Sequence, residues 1–206
     1  MSASHIVKTL DELATLYGAV NPNSLAKETP ALTPEYRRWI EHAPFLAIAT
    51  CGPEGFDCSP RGDAPGQLFR ILSDTQIAIP DRRGNNRIDT LKNLIGDPRV
   101  ALLFLTPGIN ETLRINGRAV ISTDPELIET FSVDGKKPAT VIQVDIQAVY
   151  FQCARALVRS GLWNAESHVS QTAVPTAGQM TKGAFAGFDV KRYDVELAAR
   201  QKKTLY

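Results

Sequence analysis

Through the middle of the chain, apolar and polar residues follow the short periods of β-structure; towards both ends they take helical spacing. Residues 45–50, Phe-Leu-Ala-Ile-Ala-Thr, are a continuous apolar run suited to a buried strand. Cys51-Gly52-Pro53-Glu54-Gly55 is turn chemistry, and residues 56–60 return, so the pair predicts a hairpin. Further strands are predicted over 68–72, 75–80, 101–105, 113–122 and 140–151. Leu113, Ile115, Gly117, Ala119 and Ile121 alternate with polar neighbours as a half-buried strand does. The absence of repeated βαβ units argues against a doubly wound sheet. Closely spaced antiparallel strands point to a mainly β (α+β) fold built on a barrel.

The helical segments carry their own start signals. Thr9-Leu10-Asp11-Glu12 is a capping box before a helix that Gly18 can end. Thr33-Pro34 opens a second helix with Tyr36, Trp39 and Ile40 on one face. These two helices read as an embellishment that packs on something else. A helix over 88–95 would turn Ile88, Leu91 and Ile95 to one side. Thr123-Asp124-Pro125-Glu126 reads as another capping box, before a short helix to Phe131. A helix over 153–160 would bury Ala154, Leu157 and Val158, and one over 189–203 has Val190, Tyr193 and Leu197 as its face. Residues 21–30 read as a polar connector, 134–138 as an exposed charged turn and 161–187 as irregular. The organisation expected is an N-terminal helical extension (1–44), a β core (45–151) and a C-terminal helical and irregular extension (152–206) packing on the same domain.

With 206 residues, 43% hydrophobic and 22% charged, the chain can bury a sizeable core as an ordinary soluble domain. Its net charge of +1 supplies no global field for nucleic acid or an anionic membrane, so neither is expected as a partner. Cys51, Cys58 and Cys153 lack CxxC spacing, and three scattered histidines make no metal cluster. A local Cys51–Cys58 bridge across the turn is conceivable; free thiols in a reducing compartment are the plainer reading. With no spanning apolar run and no signal pattern over residues 1–8, a cytoplasmic location is expected.

Against that neutral background one stretch stands out, Asp81-Arg82-Arg83-Gly84-Asn85-Asn86-Arg87-Ile88-Asp89-Thr90, between a strand and a helix. The first turn of a helix offers free N–H groups and the positive end of its dipole, and arginines add charge-assisted bonds, so a phosphate suits the spot. The same loop reads also as a solvated turn whose arginines pair with Asp81 and Asp89. Arg61-Gly62-Asp63 carries the same ambiguity. Trp163 suits either stacking on an aromatic ligand or a structural role. The strand begun by Glu111-Thr112-Leu113-Arg114 is either a charge-protected edge or a face for a ligand or second subunit. The common dinucleotide, nucleoside-triphosphate and serine-hydrolase motifs are absent.

Taken in order, several segments resemble the flavin-binding split-barrel family typified by pyridoxamine 5′-phosphate oxidase. They are Ser59-Pro60-Arg61, Ile79-Pro80 with the basic turn and helix, Asp97-Pro98-Arg99-Val100-Ala101-Leu102-Leu103-Phe104 and Leu113-Arg114-Ile115-Asn116-Gly117-Arg118-Ala119. The span 83–119, with 153–163, is similar to an uncharacterised subgroup. The resemblance implies a six-stranded antiparallel split β-barrel with peripheral helices over 45–151. It also implies a homodimer with FMN at its interface. Arg61, Asn86, Arg87 and Thr90 would hold the phosphate, with Arg82, Arg83 and Asn85 as further phosphate or ribityl contacts. Ile79, Pro80 and Asp81 would edge the ring. Glu111, Thr112 and Arg114 would meet it from the side or from the other subunit, with Trp163 as a lid. The implied activity is an FMN-dependent oxidoreduction of a small molecule, with flavin N5 as hydride acceptor or donor; no general acid or base need then be visible. A deazaflavin-dependent reductase, a flavin-storing or sensing module without catalysis, and a haem-handling protein are the other readings. The few, unclustered histidines argue against the last. The Arg-x-His element with which the true oxidases grip pyridoxal is absent after Trp163, where His168 is the sole histidine. The resemblance therefore stops short of the substrate.

Overall fold

The computed structural model describes residues 5–64 and 66–206. Residues 1–4, within the stretch read for a signal, and Pro65, in the loop after the first hairpin, lie outside the described residues. Seven strands form one antiparallel sheet: β1 (Phe45–Gly52), β2 (Gly55–Gly62), β3 (Arg70–Ser73), β4 (Gln76–Pro80), β5 (Arg99–Leu105), β6 (Thr112–Ser122) and β7 (Val141–Gln152). Their order is β2-β1-β5-β6-β7-β4-β3. The hairpin of β1 and β2 is in the expected place, with Cys51 opposite Phe56 and Cys58 opposite Ala49; all three cysteines are free.

The sheet wraps its own side chains. Leu46 and Ile48 of β1, Leu102 and Phe104 of β5, Ile115 of β6 and Ile77 and Ile79 of β4 belong to one buried cluster. Phe69, just before β3, meets Phe104 of β5 edge-on with centroids 5.4 Å apart. Strands four places apart in the sheet come that close only if the sheet curls. The curl does not close: β2 and β3 remain edges, and the strands number seven rather than the six expected. The apolar pattern admits six or seven strands, and all seven have a counterpart in it; the closely spaced strands point to a barrel, and the resemblance implies six of them.

β6 and β7 form the long spine. Buried positions in β7 run Ile142, Val144, Ile146 and then slip to Val149. The slip coincides with a bulge where Asn116 faces Ala148 and Gly117 faces Ile146. At Gly117 the partner backbone leaves no room for a side chain, because a Cβ would overlap the Asp145 carbonyl oxygen.

The helices are α1 (Leu10–Leu16), α2 (Pro22–Ala26), α3 (Pro34–Ile40), α4 (Asp89–Gly96), α5 (Pro125–Glu129), α6 (Arg155–Ser160), α7 (Ala177–Ala184) and α8 (Val190–Lys203). α1 has its capping box, with Thr9 Oγ1 accepting from Glu12 N, yet buries no residue. α3 buries Ile40 and sets Tyr36 and Trp39 on the core, as expected. Four expectations need correction. The connector over 21–30 contains α2, because Asn21 caps the Asn23 amide ahead of Pro22. α5 is capped by Asp124 onto Glu126 N rather than by a Thr123 box. α6 leaves Val158 exposed and buries nothing. Residues 161–187 include α7, whose capping box, Thr176 with Gln179, was readable as Thr-x-x-Gln.

α4 also sits differently from the expected face. Thr90 and Leu94 are buried while Ile88 and Ile95 are exposed. The rotation follows from polar docking: Asn93 Nδ2 donates to Thr50 Oγ1 at 3.2 Å, and the Thr90 hydroxyl donates to Asp57 Oδ2 at 2.8 Å. Gly52 permits the approach, since a Cβ there would run into the Asn93 amide. Among the described residues no helix is long and apolar enough to cross a membrane.

Candidate functional site

β4 ends at Pro80, and the Asp81 amide donates to the Thr140 carbonyl at 2.9 Å. That bond fixes the base of the basic loop beside β7. Arg82 then turns away from its neighbours: Nε donates to Asp63 Oδ2 at 2.8 Å and Nη1 to the Phe131 carbonyl at 2.6 Å. The chain kinks twice in the left-handed region, at Asn86 (φ 60) and Ile88 (φ 52). Asn85 Oδ1 accepts from the Arg87 amide at 3.0 Å, which supports the first kink. A β-branched residue at positive φ stores about 1–3 kcal/mol of strain, the kind of outlier that collects at functional sites.

Ile88 is also the N-cap of α4, and it has no side-chain oxygen to offer. The first helical amides, those of Asp89, Thr90 and Leu91, therefore start the helix without a side-chain cap. They carry the positive end of its dipole. These three residues line a cleft of about 540 Å³ with Arg61 and the basic loop. Five cationic side chains (Arg61, Arg82, Arg83, Arg87 and Lys137) face three carboxylates (Asp57, Asp81 and Asp89) around it. Two of the five, Arg82 and Lys137, pair with carboxylates outside this lining, Asp63 and Glu129.

Inside the cleft the ion pairs are incomplete. Arg61 Nη2 lies 3.3 Å from Asp81 Oδ1, while Arg61 Nε is buried without a partner, as is Thr140 Oγ1 on the same wall. Burial pushes the Asp81 carboxyl above its ordinary range, and the Arg61 charge only partly opposes the shift. Arg87 Nε donates to Asp89 Oδ2 at 2.8 Å, but this pair is solvent-facing, with Arg87 75% exposed. The hydrogen bond holds Asp89 below and Arg87 above their usual ranges. Lys137 pairs with Glu129. Among the described residues Arg83 makes no ion pair. Orphaned donors, bare amides and loosely paired arginines suit a multiply charged anion better than water alone.

Of the residues singled out from the sequence, Arg61, Asp81, Arg83, Asn85, Asn86, Arg87 and Thr90 meet around this cleft. Thr90 is buried and its hydroxyl is committed to Asp57, so its amide is the part free to bind. Ile79 is fully buried in the core, and Pro80 lines a neighbouring cleft. Glu111, Thr112, Arg114 and Trp163 lie elsewhere. Arg114 pairs with Tyr150 across β6 and β7 and donates to its hydroxyl at 2.9 Å. Thr112 is buried, and the Trp163 indole donates to the Ile109 carbonyl at 2.8 Å. Glu111 borders an apolar cleft of about 940 Å³ with Tyr36, Trp39 and Phe151. The basic loop, by contrast, joins the sheet where Pro80 pairs with Val141. From Arg114 along β6 to Ile121, which pairs with Ile142 beside it, the spine runs about 24 Å at a strand's rise per residue.

Sequence reading passed over Asp57, Ser59, Lys137 and Thr140, which also line the basic cleft. A signal existed for the first two. Asp57, Ser59 and Arg61 recur at every second residue of β2, so their side chains share one polar face. Lys137 and Thr140 arrive through the turn before β7, and nothing local to them marks that approach.

A sequence profile of the family described as pyridoxamine 5′-phosphate oxidase matches residues 32–153, more than half of the chain. Comparison with curated proteins finds no match. Among solved structures, HupZ of Group A Streptococcus is 16% identical with a TM-score of 0.48, covering 57% of this chain and 91% of that one. A pyridoxamine 5′-phosphate oxidase-related, FMN binding protein of Nostoc punctiforme is 18% identical with a TM-score of 0.43, covering 62% and 87%. General Stress Protein 26 of Bacillus anthracis is 14% identical with a TM-score of 0.44, covering 56% and 88%.

Proposed function

The chain belongs to the pyridoxamine 5′-phosphate oxidase family, and on that premise we propose that it is an FMN-dependent oxidoreductase acting on a small molecule. The observation that carries this reading is the uncapped start of α4, facing a cleft lined by Arg61, Arg83 and Arg87. A phosphate monoester is close to a dianion at neutral pH and has several acceptor oxygens. The amides of Asp89, Thr90 and Leu91 would meet it, with Arg61, Arg83 and Arg87 around it. The unpartnered Arg61 Nε and Thr140 Oγ1 supply further polar groups to the same wall. FMN, when bound, supplies a hydride acceptor or donor at N5; the protein sets its position and surroundings.

Residues 45–151 would then be the flavin-binding unit, flanked by extensions over 1–44 and 152–206. The separation along the β6–β7 spine bears on assembly. Glu111, Thr112 and Arg114 would reach a flavin held at the basic loop from a second copy of the chain, in a homodimer with two composite sites. Trp163, anchored to Ile109, would travel with that second set. Asp81, half-buried beside Arg61, borders the cleft as its internal carboxylate and would face the ligand's polar side.

The visible spectrum of the purified protein tests this reading. Flavin absorption bands, retained or gained on adding FMN, with turnover of a reduced nicotinamide donor, are expected. A protein that stays colourless with FMN present refutes it, and bound flavin without turnover reduces it to a storage module.

A further inference from the structure

Behind the basic loop lies a second cleft, of about 490 Å³, walled by Pro60, Leu68, Pro80 and Tyr206 and floored by Asp63 and Arg82. Asp63 is a carboxylate whose side chain is only 2% exposed. Its Oδ2 accepts from Arg82 Nε at 2.8 Å, and its Oδ1 accepts from the Ala64 amide at 2.8 Å and from the Tyr206 hydroxyl at 2.6 Å. The Arg82 guanidinium lies 5.2 Å from the centre of the Tyr206 ring, and its Nη2 is buried without a partner. The cleft thus offers a buried anionic acceptor for a hydroxyl, a cation against a ring and apolar walls. Those are the three elements that recognise a phenol. Tyr206 follows α8, and its hydroxyl bond to Asp63 and the Arg82 guanidinium beside its ring set it on the cleft wall.

We propose that this second cleft is a binding site for a neutral hydroxylated aromatic ring, and that Tyr206, on its wall, holds the Asp63 acceptor as a displaceable internal competitor. The site shares Arg61, Arg82, Arg83 and Gly84 with the basic cleft, so an aromatic ligand seated there lies next to the loop. Its occupancy needs no flavin, and it stands or falls apart from the FMN reading. The Asp63 carboxylate, by hydrogen bond first and burial second, holds the Tyr206 hydroxyl above the usual phenol range. A ring in its neutral form is therefore the one retained.

Calorimetric titration with phenol and with anisole, which has no hydroxyl to donate, tests this on the full chain. Tyr206→Ala removes the competing hydroxyl without touching the core. It should bind phenol roughly tenfold more tightly than wild type, the weight of one charge-assisted hydrogen bond, and should discriminate against anisole. Tyr206→Phe keeps the ring but not its bond to Asp63 and should fall between the two. Equal phenol affinity in wild type and Tyr206→Ala, no phenol binding to Tyr206→Ala, or equal binding of phenol and anisole would overturn the proposal.

Discussion

Arg61 and Asp81 stand 3.3 Å apart across the basic cleft, in an ion pair that satisfies neither fully. Arg61 keeps a buried Nε without a partner, and burial raises the Asp81 pKa in spite of the arginine. Removing the carboxylate frees Arg61 for an incoming anion and takes away a like charge. Asp81→Asn should therefore bind inorganic phosphate and FMN more tightly, by roughly three- to tenfold for a charge at this range in a half-exposed site. The stability consequence has a definite sign. A carboxyl whose folded pKa is raised contributes stability below its ordinary value of 3.8 and loses it as pH rises through the folded value. Thermal denaturation between about pH 3 and pH 7 should show wild type losing ground to Asp81→Asn as pH rises. Parallel curves would show that Asp81 does not titrate anomalously.

Thr90 ties α4 to β2. Its hydroxyl, on a buried residue, donates to Asp57 at 2.8 Å, and the bare amides of the helix start hang on that tie. Thr90→Val keeps the shape and removes the donor, at a cost of about 1–3 kcal/mol in urea unfolding. Thr90→Ser keeps the hydroxyl and should cost less. If valine is tolerated as well as serine, the bond does not position the helix.

Gly117 marks the bulge that keeps both halves of the β6–β7 spine facing the core. Its missing Cβ leaves room for the Asp145 carbonyl, a backbone atom that cannot swing aside. Gly117→Ala should cost about 1–3 kcal/mol or more, as overpacking does. Gly183, in α7 with open space around it, is the contrast: Gly183→Ala should stabilise by about 0.5–1 kcal/mol. Denaturant midpoints of the two variants should move in opposite directions.

A composite site predicts complementation. In the proposed dimer Arg87→Ala would damage the basic-loop half and Arg114→Ala the distant half, so each homodimer would have two broken sites. After subunit exchange, the mixed dimer carries one site with both defects and one intact site. FMN binding should reappear at about one site for every two dimers, since random exchange makes half of the dimers mixed. A mixture that binds no better than its components would place both arginines on flavins held within one chain, or Arg114 outside the site.

How much of this was readable beforehand divides by the range of the interactions involved. Strands such as 45–50 and 101–105 announce themselves because their apolar runs are local, and the Thr9 and Thr33 caps need only a few residues of context. The basic loop was legible for the same reason: its arginines, asparagines and helix start are neighbours in sequence. The face of α4 was not, because Leu94 and Thr90 are drawn inward by Thr50, Asp57 and Gly52, some forty residues away. Arg82 illustrates the same limit. By sequence it is one more cation for an anion, but Asp63 and the Phe131 carbonyl turn it to the other side of the loop. The openness of the sheet depends on β2 and β3 failing to meet, a property of no single segment.

The central claim, that the loop ahead of α4 grips the phosphate of a flavin, is tested most directly by comparing FMN with riboflavin. The two share the ring and ribityl chain and differ in the phosphate. Flavin-fluorescence titration should show FMN bound about 100-fold more tightly or better, as expected for two or more charge-assisted hydrogen bonds. That preference should shrink by about tenfold or more in Arg87→Ala. Equal affinity for FMN and riboflavin in wild type would contradict the account.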